Sequence, residues 1–218
     1  MLGPALGPEL ACLAGRLAFL REAERLKSVL RSGFTSTGRA ESTAEHSWRL
    51  TLMALVFADQ LPGLDIARML KLCVVHDLGE AIHGDIPATQ QHAHPGKSAQ
   101  ERADLHTLTR DLDPPLRAEI IALWDEYEAA ATPEAKAVKA FDKLETILQH
   151  NQGDNPPDFD YAFNLDYGRR HTAGEPLFAE LRAMLDADTI ARAAAAQLAR
   201  EELGGRHAEG LAEHGRKG

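Results

Sequence analysis

The sequence predicts an all-α protein, and three observations carry that prediction. The run Leu64 to Leu78, LDIARMLKLCVVHDL, is apolar on nearly every side, the mark of a helix packed against several neighbours. Ser42 followed by Glu45 has the form of a capping box, ahead of a second apolar run from His46 to Gln60. Between Ala135 and His150, the residues Val138, Phe141, Leu144, Ile147 and Leu148 recur at helical spacing. Stretches in which Val or Ile alternates with polar residues are missing, so strands are not expected.

The elements follow in order. MLGPALGPELACLAG, with two Gly-Pro steps, reads as a loose lead-in to a helix from about Leu10 to Leu30. The helix His46 to Gln60 comes next, and the connection Asp59 to Asp65, with Pro62 and Gly63, is short enough for an antiparallel partner. That pairing sets the start of one helix beside the end of the next, so His46 faces His76 and Asp77. Gln90 to Gly96 and Asn151 to Asp160 read as loops, with His92 and His94 as solvated residues of a Pro-Gly turn rather than ligands. At the end of the chain, ARAAAAQLAREELGG predicts a helix through Leu203, stopped by Gly204-Gly205 and followed by a disordered tail.

Composition narrows the class. The chain has 218 residues, 44% of them apolar, enough for one core. Its formal net charge of −9, from 24 basic and 33 acidic residues, argues against a general nucleic-acid surface. Two distant cysteines, Cys12 and Cys73, and no hydrophobic leader predict a reducing, cytoplasmic setting. No run reaches the ~18 apolar residues a membrane span requires. Internal repeats, a P-loop and a Gly-rich dinucleotide fingerprint are absent.

Chemistry concentrates where the apolar run ends. His76 and Asp77 are adjacent, Glu80 follows one turn later, and Gly84-Asp85 lies just beyond. A buried unpaired carboxylate is costly, so a His-Asp pair there is best explained by a shared cation. Imidazole and carboxylate are the usual ligands of hard to borderline divalent metals. His46 and Asp142, the latter on the flank of the Val138–Leu148 stripe, complete four ligands from three helices, leaving positions for water and substrate on an octahedral ion. Taken alone, Asp142 reads rather as a surface partner of Lys139 or Lys143, since Asp is rarely fully buried. On a continued helix Glu80 shares the face of His76 and Asp77, where it can accept a proton or hold a water. Asp85 sits in HGDIPA, a rigid turn set by Gly84 and Pro87, and reads either as part of the site or as a turn-capping residue.

The order His46, His76-Asp77, Asp142 resembles the HD-domain phosphohydrolase superfamily. Within it, EHSWR at 45–49, VVHDLGEAIHGDIPA at 74–88 and VKAFDKLETILQ at 138–149 are similar to the HD-domain 5'-deoxynucleotidases. The resemblance spans about residues 20 to 185. It implies an all-α HD-domain helical bundle at 20–185, flanked by a lead-in at 1–19 and a C-terminal helix and tail at 186–218. It further implies one divalent metal (Mn, Co, Fe, Zn or Mg), a homodimer, and hydrolysis of deoxyribonucleoside 5'-monophosphates. The residues carried over are Glu80 and Asp85 for catalysis and Arg31, Ser32, Asp85, Ile86, Pro87 and Ala88 for substrate, Arg31 orienting the phosphate. Ser32-Gly33-Phe34 stands where members often have a tryptophan, which leaves base preference open. A di-iron oxygenase would need His83 or His150 as further ligands, and a non-catalytic nucleotide-binding module would need a vestigial site.

Overall fold

A computed structural model describes residues 7–214, with side chains described through residue 201. Twelve elements follow one another: α1 (Pro8–Ala23), β1 (Leu30–Phe34), β2 (Ala40–Ser42), α2 (Thr43–Val56), α3 (Ile66–Val75), α4 (Glu80–His83), α5 (Lys97–Leu108), α6 (Pro114–Ala129), α7 (Pro133–Gln152), α8 (Phe163–Asp166), α9 (Arg169–Thr172) and α10 (Pro176–His214). The protein is all-α in architecture, but β1 and β2 form a small antiparallel hairpin with Leu30 opposite Ser42 and Phe34 opposite Ala40.

That hairpin corrects two expectations, the absence of strands and a first helix reaching Leu30. The helix stops at Ala23, one 3-10 turn covers Glu24–Lys27, and the chain then turns extended. Ser32, Gly33, Thr35, Ser36, Thr37 and Gly38 are poor helix formers. The extended form also lets the Thr43 N–H bond the Val29 carbonyl at 2.9 Å, which ties the hairpin to the start of α2.

α7 runs through the centre. It buries Val138, Phe141, Leu144 and Ile147 completely, while α2 contributes Leu50 and Ala54, and α3 contributes Met69, Leu72 and Cys73. Phe141 lies between Phe57 and Phe178, with ring centroids at 5.9 and 4.9 Å. α2 and α3 are not buried all round, contrary to expectation. Trp48 is 65% exposed and Val74 56%, because only one side of each helix meets α7.

Three boundaries also differ. α3 ends at Val75, and the residues after it form i to i+3 bonds, Leu78 to Val75 and Glu80 to Asp77, so Glu80 opens a new helix rather than continuing the old one. α7 extends through Gln152 into the expected loop, and Ala88–Ala93 forms 3-10 turns inside the other loop. α10 continues through Gly204-Gly205 to His214, so two glycines did not end it. Residues 1–6 of the lead-in and 215–218 of the tail lie outside the described residues.

Candidate metal centre

Local signals set each candidate ligand in place. The Ser42 hydroxyl accepts the Glu45 N–H at 3.3 Å and the Glu45 carboxylate accepts the Ser42 N–H at 2.9 Å, which completes the capping box and fixes the start of α2. His46 follows in the first turn and is fully buried. His76 stands at the C-terminal cap of α3, where its Nδ1–H donates to the Cys73 carbonyl at 2.8 Å. The Nδ1 of His46 is held by Glu145 of α7. Both rings thereby turn Nε2 toward the same point, and neither buried Nε2 has a hydrogen-bond partner.

That point lies beside two carboxylates. Asp77 Oδ2 is 2.9 Å from His76 Nε2 and 3.8 Å from His46 Nε2, and Asp142 Oδ1 is 3.3 Å from His46 Nε2. One ligand atom each from His46, His76 and Asp77 lie within 4.8 Å of one another. The other oxygen of Asp142 accepts the Tyr127 hydroxyl at 2.6 Å and pairs with Lys143 at 2.8 Å, so this residue is both an inward carboxylate and a lysine partner. Two orphaned imidazole nitrogens among carboxylates fit a divalent cation. A second trio, Glu41, His46 and Glu145, is also close, but Glu145 is spent on Nδ1, and the two carboxylates are engaged by Arg31 at 3.5 Å and Arg49 at 2.7 Å. Glu145 orients and charges the histidine.

The electrostatics favour a cation at the Nε2 side. Burial and Arg31 act to lower His46, yet Glu145 and Asp142 outweigh them and hold it up to about 10. Burial would raise Asp77, but His76, His46 and Arg31 hold it well below the carboxylate range. Glu80 behaves oppositely. Burial, then the charges of Asp77 and Asp85, push it up to about 9, against the pull of Lys97 and Arg31. A divalent ion against Asp77 offsets that repulsion and favours the ionised Glu80.

The remaining candidates line one cavity of about 1080 Å³, which contains Arg31, Ser32, His76, Asp77, Glu80, Asp85, Ala88 and Asp142 on its wall. Arg31 lies on β1, where its guanidinium reaches Asp77 at 3.5 Å and the Thr146 hydroxyl at 3.1 Å. Gly84 adopts φ 87°, so the turn before Asp85 uses the left-handed region that glycine tolerates. Ile86 and Pro87 are part of that half-buried segment without bordering the cavity. His92 is exposed, and His94, also exposed, borders the cavity without joining the cluster of ligands. Neither histidine required by a second metal joins the cluster. His83 is 63% exposed and bonded to Asp104 at 2.7 Å, and His150 Nδ1 faces Asn164 at 2.8 Å.

Several contributors escaped the sequence reading. Glu145 was detectable as one turn beyond Asp142 on the same helix. Lys97, which reaches Glu80 at 3.3 Å, and Thr43, whose hydroxyl donates to Glu80 at 3.3 Å, carried no local signal.

A helical bundle whose central helices converge two histidines and two carboxylates at the wall of a cavity lined by charges of both signs defines a candidate divalent-metal centre. The chain belongs to the HD domain family, whose model matches residues 23–182. It is 38% identical over 138 residues to the 5'-deoxynucleotidase HDDC2 of Danio rerio, covering 62% of this chain and 68% of that protein. It is 39% identical to the 5'-deoxynucleotidase hdd1 of Schizosaccharomyces pombe, covering 60% and 68%. A solved structure from Magnetospirillum magnetotacticum, described as a predicted metal-dependent phosphohydrolase, superposes with a TM-score of 0.76 at 28% identity, covering 87% of this chain and 98% of that one.

Proposed function

We propose that the protein is a metal-dependent 5'-deoxynucleotidase, which hydrolyses deoxyribonucleoside 5'-monophosphates to deoxynucleoside and phosphate. The observation that carries this reading is the convergence of two partnerless, buried Nε2 atoms on Asp77 at the wall of a cavity that also presents Glu80, Asp85 and Arg31. The names of the relatives supply the substrate class.

His46, His76, Asp77 and Asp142 hold the divalent ion. When bound, the ion supplies a Lewis acid for a phosphoryl oxygen and lowers the pKa of water. Glu80 receives the proton of the attacking water and keeps that water in line, with Lys97 and Thr43 fixing its carboxylate. Arg31 grips the phosphate, for which it is pre-positioned by Asp77 and Thr146. Asp85, on the cavity wall, assists the leaving 5'-oxygen. Ser32, Asp85 and Ala88 contact the sugar, with Ile86 and Pro87 fixing the course of the segment behind them. The dry surroundings of His46 strengthen each of these charge interactions.

The reading includes a cytoplasmic homodimer. Cys12 and Cys73 are both free, and among the described residues no helix is long and apolar enough to cross a membrane. Trp48, Leu55 and Val56 form an exposed apolar face on α2, of the kind a second subunit covers. Light scattering checks the dimer.

The decisive experiment measures phosphate release from deoxy- and ribonucleoside 5'-monophosphates after chelation and separate re-addition of Co²⁺, Mn²⁺ and Mg²⁺, with Glu80→Ala alongside. Metal-dependent turnover of deoxy substrates, reduced about 10²–10⁴-fold by Glu80→Ala, is expected. No turnover with any metal overturns the proposal.

A further inference from the structure

The cavity reaches well beyond the cluster of candidate ligands. Its volume of about 1080 Å³ exceeds the roughly 300–1,000 Å³ of ordinary small-ligand pockets. A mononucleotide seated at Asp77 therefore leaves a part of it unfilled. Another stretch of its wall is made by α9 and the adjoining turn of α7, where Lys139, Lys143, Arg169 and Arg170 gather in a chain of net charge −9.

Lys143 on that wall is held in place. Its side chain is 20% exposed, and Nζ lies 2.8 Å from Asp142 Oδ2 and donates to the Tyr167 hydroxyl at 3.1 Å. Gly168 has φ 68°, and a Cβ there would meet the Lys143 side chain at 2.6 Å. Glycine is thus what lets the entry to α9 close over the lysine stem. Two residues later Arg170 directs its Nε–H to His171 Nε2 at 3.0 Å. Among the described residues no carboxylate lies within ion-pair distance of Arg170, which leaves the terminal guanidinium N–H groups for a ligand. Burial, then Lys143, Arg170 and Lys139, push His171 down to about 4, so it is an uncharged acceptor at neutral pH and registers the positive potential of this corner.

The acids nearby are engaged by other groups or, like Asp158, exposed to solvent. Lys139 takes Glu128 at 3.4 Å, and Arg169 takes Asp186 at 3.5 Å, an acid shared with Arg182 at 2.6 Å. Asp166 is 98% exposed and screened by solvent. Asp160 accepts the Phe163 N–H at 3.3 Å as a cap. Asp142, the counter-charge of Lys143, also faces the ion under the proposed function.

We propose that the corner formed by Lys143, Arg170 and His171 binds a second phosphate carried on the sugar of the substrate, so that deoxynucleoside 3',5'-bisphosphates are hydrolysed in preference to simple 5'-monophosphates. This rests on the 5'-deoxynucleotidase reading. Arg170 supplies planar, paired donors and Lys143 a point charge, the combination suited to a phosphate dianion. Arg31 and the corner line the same cavity, so a sugar held with its 5'-phosphate at Arg31 can present a second phosphate to the corner. In the reaction the 5' P–O bond breaks and a water oxygen is added to that phosphorus. Inorganic phosphate and the deoxynucleoside 3'-phosphate leave, with the phosphate in the corner intact.

The test compares metal-loaded protein on deoxyadenosine 5'-monophosphate, deoxyadenosine 3',5'-bisphosphate and deoxyadenosine 5'-diphosphate. Calorimetric binding of the same three compounds to Glu80→Ala supplies a readout that does not depend on turnover. The expected result is a kcat/KM and an affinity for the bisphosphate at least about tenfold above the monophosphate, as one added charge-assisted phosphate contact gives. Arg170→Ala removes that advantage and Arg170→Lys keeps part of it. Arg170 is exposed, so neither substitution disturbs the core. A bisphosphate no better than the monophosphate, an advantage that survives Arg170→Ala, or preference for the 5'-diphosphate overturns the proposal. If no nucleotide turns over, the nucleotidase reading has failed, and the binding data still decide on the corner.

Discussion

α7 and α1 begin alike and end up with opposite roles. Each has proline at its first position and each is long, 20 and 16 residues. α7 buries Phe141, Asp142, Leu144, Glu145 and Ile147, whereas α1 has no buried residue at all. Leu10, Leu13, Leu17 and Leu20 of α1 are all more than half exposed. The difference teaches that helix formation is local, while chemistry requires burial from several sides. Of these two helices, α7 is the one that takes carboxylates out of water and makes them depend on particular partners.

The largest break in that contrast is expected at the metal cluster. Asp77→Ala removes a carboxylate from the convergence point, and activity with saturating metal should fall about a thousandfold or more, the several kcal/mol an ion contributes to a phosphoryl transition state. A variant with near-normal phosphate release would show that Asp77 is not a ligand.

Packing comes next. Phe141→Ala should destabilise the protein by about 3–5 kcal/mol in urea unfolding, since the ring is fully buried between Phe57 and Phe178. A loss below 1 kcal/mol would mean that α7 is not the organising helix.

Glu145→Gln sharpens the comparison within α7 itself. The side chain touches His46 Nδ1 and Arg49 but not the convergence point, so metal affinity is expected to drop about 10–100-fold, the range for a group that orients a ligand. Titration of the chelated protein with Co²⁺ checks it.

A smaller effect belongs to the capping box. Hydrogen bonding from Arg39, then the bonds from Ser42, hold Glu45 down to about 2. Its folded pKa is depressed, so its stabilisation is present above about pH 4.5 and is lost as pH falls toward 2. Glu45→Gln should cost about 0.5–1 kcal/mol at pH 7, at the low end for caps because the side chain is 44% exposed. The difference from wild type should vanish near pH 2 in thermal melts.

The smallest effect is expected on α1. Leu17→Ser changes an exposed position and should leave the melting temperature nearly unchanged, within about 0.5 kcal/mol. A large loss would reveal a packing partner for that stripe.

Much was legible along the chain because its causes lie within a few residues. The capping box at Ser42 and the Val138–Ile147 stripe are short-range signals, and the antiparallel approach of His46 to His76 follows from a short connection. The rest depended on distant partners. The turn at His76 to Gly79 that starts a new helix at Glu80 sets a buried Gly79 against Glu101, where a Cβ would meet the backbone oxygen at 2.7 Å. The hairpin holding Arg31 is tied to α2 and lies against α7, so local propensity at KSVLRSGF could not show it. α10 passed Gly204-Gly205, where the cost of glycine in a helix, about 1 kcal/mol each, was not enough to end it.

The sequence by itself determined the three central helices α2, α3 and α7, the cap at Ser42 and the donor types, because periodicity, capping and side-chain chemistry are properties of neighbouring residues. Tertiary structure alone decided which nitrogen of each histidine faces Asp77, that Glu145 orients His46, and that Lys143, Arg170 and His171 share one corner of the cavity. Those relations join positions far apart in the chain, and the physical reason they were hidden is that orientation inside a packed core is set by all surrounding side chains at once.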